Sequence, residues 1–338
     1  MVDGRMDLNL DGNLGLFTDD THEGMAVSKE EDAWRIQNDL IEIGRWSNLT
    51  NMIFNCGKFE CLKTGFNLEL KTKYDYLTPD LELTIENKDN IKDLGIWMSS
   101  SGDFSYHISK VISKVRQRIG WINRSFRTND VDFKKFMWRT YISGLLDYNS
   151  QLWCPIEEGK VSSLEQLLRS YTANTDGLQS YNYWERLKRM GLSSIQRRFQ
   201  RYRIIYLWKV IAGLTHNYGL TWRIDEHKGI IIDIKQLKYY QVKGKVLNIW
   251  RQSIGVSGAA LFNSMPYKVR NYEGKSISGF KMTLDQVLEN IPDCPLSYGL
   301  YPDPINPVTN RNSNCLTDWS HYLKLPQRKE IDIHDVLL

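Results

Sequence analysis

"NLGLFTDDTHEG", residues 13–24, decides how the chain is read. Leu14, Leu16 and Thr18 alternate with Gly15, Phe17 and Asp19. A short, partly apolar run of period two flanked by glycine fits a strand entering a tight turn. Asp19 and Asp20 then stand side by side at the turn, where one carboxylate would serve solubility.

Downstream, "SKEEDAWRIQNDLIEIGRW" places Ser28 and Glu31 at capping-box spacing, with Ala33, Ile36, Leu40 and Ile43 recurring at steps of three and four. This pattern predicts one amphipathic helix ending near Trp46. "NMIFNCGKFECLKTG" (51–65) reads as two short strands around Cys56-Gly57, and Leu94 to Met98 as another strand closed by a Ser/Gly breaker. Strand, helix and further strands make an α+β layer. After Gly102 the pattern turns to long helices, at 104–126, over "DVDFKKFMWRTYISGLLDY", over "KVSSLEQLLRSYT" and at 192–214. In the first of these, Ile108, Val111, Ile112, Val115, Ile119 and Ile122 line one face. Beyond residue 214, "GIIIDI" (229–234) and "VLNIW" (246–250) read as strands, "SGAALFNSM" as a short helix stopped by Pro266, and 276–291 as a helix. From Pro292 to Asn314, five prolines among Asn, Asp and Ser residues indicate a loose tail.

With 41% apolar, 25% charged and 12% aromatic residues among 338, the composition is that of a globular protein with more than one core. Absence of a long apolar run, and acids where a signal peptide would be basic, lead us to expect an intracellular protein, in nucleus or cytoplasm, with no membrane span. Five scattered cysteines without a CxxC pair argue against a disulfide framework or a zinc site. The net charge of +4 hides a split: residues 1–100 carry −9, residues 101–212 carry +10 and the remainder +3. An acidic third beside a basic third fits a cation-binding part next to a part that holds a polyanion. Solvated helix faces would give the same count.

Adjacent aspartates at a strand turn can offer oxygens to Mg²⁺, and two such ions support in-line nucleotidyl transfer. They are also ordinary turn residues. Context separates the two readings. "LGLFTDDT" resembles the aspartate-bearing hairpin of reverse transcriptases, usually [YF]-A-D-D. "EDAWRIQNDLIEIGRWSNLTNMIFNCGKFECL" is similar to the helix and following strands in reverse transcriptases of non-LTR (LINE-type) retrotransposons, and "IKDLGI" to the strand they set against the primer end. "YISGLLDYNSQLWCP", "RRFQRYRIIYLWKV" and "GAALFNSMPYKVRN" resemble their downstream segments, so the resemblance runs in order over about residues 6 to 320.

That resemblance implies roles. Asp19 matches the metal-binding aspartate of the hairpin and Asp20 its partner, so both are candidate catalytic residues and Mg²⁺ ligands. Lys58 matches the lysine of the Phe-Asn-xx-Lys strand, a candidate for neutralising or protonating the leaving pyrophosphate. Leu94 and Gly95 match the primer-gripping strand. An RNA template, a DNA primer and deoxynucleotides are the implied partners. Lys110, Lys114, Arg116, Arg118 and Arg124 on one helix, and Arg197, Arg198 and Arg201 on another, are spaced to follow the phosphates of an RNA–DNA hybrid.

Thr18 stands where the family usually has Ala. The family also needs a further aspartate from an earlier strand and a Gly-rich segment before the hairpin, and these 338 residues carry neither. The expected architecture is therefore α+β: the C-terminal half of an antiparallel palm subdomain (1–100), a basic helical thumb-like module (101–214), a small mixed module (215–291) and an irregular tail (292–338). The expected function is that of a C-terminal fragment of an RNA-directed DNA polymerase, inactive alone. The alternatives are a stand-alone nucleic-acid-binding protein or a remnant without function.

Overall fold

Strands β1 (Asn13–Phe17) and β2 (Asp20–Gly24) pair antiparallel with Phe17 opposite Asp20, so residues 18 and 19 are the whole of the connection. This is a computed structural model, and it describes residues 8, 10–17, 20–65, 73–78, 81–234, 245–272, 274, 276–290 and 293. The chain divides into two units, residues 1–107 and 108–338. Its class is α+β with small antiparallel sheets.

In the first unit the hairpin is followed by α1 (Glu30–Thr50), whose start differs from the expected capping box. Asp32, not Glu31, reaches back to accept from the Ser28 and Lys29 N–H groups at 3.0 and 3.2 Å. Helix α1 packs on β3 (Tyr74–Thr78), which pairs with β4 (Leu81–Ile85). Tyr74, Tyr76 and Ile85 join Ala33 and Ile43 in a small core. The Gln37 side chain pairs with the backbone of Asp75, donating at 2.7 Å and accepting at 2.8 Å, as a neighbouring strand would. The close approach needs Gly44, since a Cβ there would lie 2.3 Å from the Leu77 carbonyl oxygen.

Residues 51–65 are not two strands. Asn55 accepts from the Gly57 N–H and starts a single 3₁₀ turn at Cys56–Lys58, and pairing there is limited to a bridge between Cys61 and Asn87. The 94–98 strand is also shifted: β5 (Asn90–Asp93) and β6 (Ile96–Ser99) form a hairpin whose two-residue turn is Leu94-Gly95. Both turn residues have positive φ, 42° and 87°, the geometry that matches the twist of a tight hairpin.

Helix α2 (Ser105–Ser125) leads into the second unit. There follow α3 (Val131–Met137), a π-helical turn (Trp138–Ile142), α4 (Ser143–Asp147), α5 (Ser150–Trp153), α6 (Glu158–Ala173), α7 (Tyr183–Met190) and α8 (Ile195–Ile211). Next come the hairpin β7 (Trp222–Asp225) and β8 (Gly229–Ile232), α9 (Lys245–Gln252), a second π-helical turn (Ile254–Gly258), α10 (Ala259–Asn263), α11 (Tyr267–Arg270) and α12 (Ile277–Glu289). Residues 246–250, expected as a strand, lie in α9, because five residues are too few to separate the two periods. The C-terminal half of α8 shares one core with Leu220, Ile232, Phe262, Phe280 and Leu284, so the helical and mixed segments expected as separate modules are joined. Of the expected tail, all but Asp293 lies outside the described residues.

A buried carboxyl holds the start of α8. Glu165 accepts from the Tyr183 hydroxyl and from the Ile195 and Gln196 N–H groups, and burial raises its pKa to about 7 from an ordinary 4.5. The folded state therefore binds this proton more tightly than the unfolded chain. That contribution is complete below about pH 4.5 and is lost as pH rises through about 7, worth about 3 kcal/mol. Thermal unfolding across pH 4–8 should show falling stability with rising pH, and Glu165→Gln should flatten the slope; an unchanged slope would assign it elsewhere.

Candidate nucleic-acid interface

Of the acidic pair, only Asp20 lies among the described residues. Asp20 is the first residue of β2 and is exposed at the hairpin end, while Asp19, with Thr18, lies outside the described residues. Leu16 and Phe17 beside it are 51% and 57% exposed, so apolar side chains stand open at this end of the hairpin.

What anchors the hairpin is a second acidic pair, one that the sequence reading does not single out. Asp39, 3% exposed on α1, accepts from the Asp11 N–H at 3.0 Å and the Gly12 N–H at 2.7 Å and so fixes the entry to β1. Glu23 of β2 lies against it. Burial, reinforced by the Asp39 carboxylate, raises the Glu23 pKa to about 8, and a neutral Glu23 avoids placing two buried negative charges together. The available signal is an acid between Ile36, Leu40 and Ile43 on an otherwise apolar helix stripe.

Lys58 ends the 3₁₀ turn and is exposed, and among the described residues no hydrogen bond or ion pair links its side chain to Asp20. Leu94 and Gly95 form a hairpin tip, with Leu94 39% exposed. Among the described residues no three His, Cys, Asp or Glu side chains lie close enough to share a metal ion.

In the second unit the two basic helices part company. On α2, Ile108, Val111, Val115 and Ile122 are buried, while Lys110, Lys114, Arg116, Arg118 and Arg124 are exposed. Aromatic rings stand among these cations. Trp121 is 39% and Tyr141 41% exposed, their centroids are 5.8 Å apart, and the Arg118 guanidinium lies 5.9 Å from the Trp121 ring. Phe126 meets Trp121 edge-on at 5.9 Å. Cations beside exposed ring faces suit a phosphate backbone with unpaired bases at its edge. The signal for this group is Trp121 on the polar side of α2, near Arg118 and Arg124.

The arginines of α8 form no such open row. Arg197 is 3% exposed and lies 3.7 Å from Asp293, which also accepts from the Ser194 N–H and hydroxyl at 2.7 Å each. Arg198 makes a two-pronged pair with Asp147, and Arg201 one with Asp285 that includes a 2.7 Å contact. Arg203 is fully buried and donates to Ser257 and, at 2.6 Å, to the Gln252 carbonyl. These side chains are engaged within the protein because α8 is covered on nearly every side, and buried guanidinium groups require acceptors.

No protein-family model, no curated protein and no solved structure matches the chain. Among the described residues no helix is long and apolar enough to cross a membrane.

Proposed function

We propose that the chain derives from the reverse transcriptase of a non-LTR retrotransposon, as its palm end, thumb and C-terminal segment, and that on its own it binds an RNA–DNA hybrid without extending it. The observation that carries the binding reading is the open side of α2, where Lys110, Lys114, Arg118 and Arg124 are exposed with Trp121 among them, while Arg116 is exposed on the opposite flank of the same helix. Such a row neutralises successive phosphates and reads no bases. The ancestry reading rests on the ordered segments of sequence similarity and on Asp20, which follows Asp19 in the sequence and opens β2 of a tight antiparallel hairpin. In the parent enzyme Asp19 and Asp20 would hold Mg²⁺, Lys58 would face the leaving pyrophosphate, and Leu94-Gly95 would meet the primer end.

Fluorescence anisotropy of the full chain with a labelled hybrid, repeated over a salt series, tests this. Affinity should fall steeply with salt, with a slope near 1 per phosphate engaged. No binding, or binding indifferent to salt, would remove the proposal.

A further inference from the structure

A polar cavity of about 330 Å³ opens between the end of α2, the start of α3 and the end of α6. At its wall stands Lys134, which is 3% exposed. Its ammonium lies 4.6 Å from the centroid of the Tyr171 ring, and the Tyr171 hydroxyl fixes the backbone beneath by donating to the Lys134 carbonyl at 2.9 Å. Among the described residues no carboxylate is within ion-pair distance of this ammonium, and no protein acceptor is hydrogen-bonded to it. Burial lowers its pKa, and the field of Asp176 raises it only partway. The side chain is buried along its length, but the ammonium is not among the fully enclosed polar atoms, so beside the Tyr171 ring face it can still be reached by an acceptor from the cavity.

The other polar groups of the wall are also open to a ligand. Arg127 and the side-chain amides of Asn123, Asn129 and Asn174 line the cavity and have no protein hydrogen-bond partner among the described residues. Phe126 adds an aromatic surface. Two cations call for a group carrying up to two negative charges. The depth of Lys134 admits only the end of a ligand and not a strand passing over it. The volume leaves room beyond a phosphate, at the lower end of the range for small-molecule sites.

We infer that this cavity binds the phosphomonoester of a nucleotide, with Lys134 and Arg127 on the phosphate and the asparagine amides and Phe126 on the nucleoside. The site adjoins the hybrid-binding face, sharing Phe126 with its aromatic group, and does not rest on any polymerase ancestry. A free nucleotide and the phosphorylated end of a strand present the same chemistry.

Calorimetric titration of the full chain with inorganic phosphate, a nucleoside 5′-monophosphate, a 5′-phosphorylated single-stranded octamer and the same octamer with a 5′-hydroxyl tests the inference and separates the sources. The monophosphate should bind more tightly than inorganic phosphate. Lys134→Met should weaken it about ten- to hundredfold, as loss of a charge-assisted hydrogen bond does, while Tm stays the same or rises. Arg127→Gln should weaken binding at unchanged Tm. A phosphorylated octamer that outcompetes the monophosphate identifies a strand end; equal affinity identifies a free nucleotide. The inference is overturned if no phosphate-bearing probe binds, if the 5′-hydroxyl octamer binds as tightly as the phosphorylated one, if both variants bind like the parent, or if Lys134→Met unfolds the second unit and Arg127→Gln leaves affinity unchanged.

Discussion

Arg203→Ala should destabilise the second unit by about 3–5 kcal/mol, whereas Arg203→Met should cost less than about 1.5 kcal/mol. Arg203 is fully buried, so truncation to alanine empties the volume of a long side chain in the middle of the unit. Its hydrogen bonds are less decisive. The Gln252 carbonyl that it serves also accepts from the Ser257 hydroxyl at 3.1 Å, so it retains a partner when the guanidinium is removed. The Arg203 Nε has no acceptor, so the guanidinium is incompletely satisfied where it lies. Methionine fills most of the volume and removes that buried donor. Urea unfolding followed by tryptophan fluorescence separates the two substitutions. If methionine proved as damaging as alanine, hydrogen bonding and not volume would be what Arg203 contributes.

Gly44→Ala should destabilise the first unit by about 3 kcal/mol, although alanine normally improves a helix by up to about 1 kcal/mol over glycine. The added methyl would meet the Leu77 carbonyl oxygen at 2.3 Å. That atom belongs to the backbone of β3 and cannot rotate away. Helix α1 would have to lift, breaking the Gln37 pairing with Asp75 and opening a small core whose buried members among the described residues are Ala33, Ile43, Tyr74, Tyr76 and Ile85. Amide hydrogen exchange at Asp75 should accelerate with the loss of stability. A variant more stable than the parent would show that the helix is free to slide.

The parts legible from sequence are those in which one short-range signal acts alone. The alternation of residues 13–17 and the acids after it locate the hairpin, and the three-and-four spacing of Ile108 to Ile122 locates α2 and its buried face. Strands β3 and β4 escape a reading by pattern although Tyr74 and Tyr76 alternate inward, because each run is only five residues long and carries polar residues within it. Leu94 reads as strand because leucine rarely takes positive φ, yet the hairpin register places it in the turn. The arginines of α8 mislead for a different reason. Periodicity reveals an apolar face, but it cannot reveal that Asp147, Asp285 and Ser257 arrive from distant parts of the chain to cover the polar one. Lys134 is hidden for the same cause, standing beside Lys135 as one of two ordinary helix lysines.

Under the proposed function, helix α2 binds nucleic acid and α8 supports the fold from within. Hybrid affinity measured over a salt series for Lys114, Arg116, Arg118 and Arg124 all changed to Gln, beside Arg198 and Arg201 changed to Gln, tests that division most directly. The α2 variant should fold normally while its salt slope drops by about 1 for each phosphate no longer neutralised; the α8 variant should lose stability and keep the slope of the parent. The opposite pattern, a preserved slope without the α2 cations and a reduced one without the α8 pair, would contradict it.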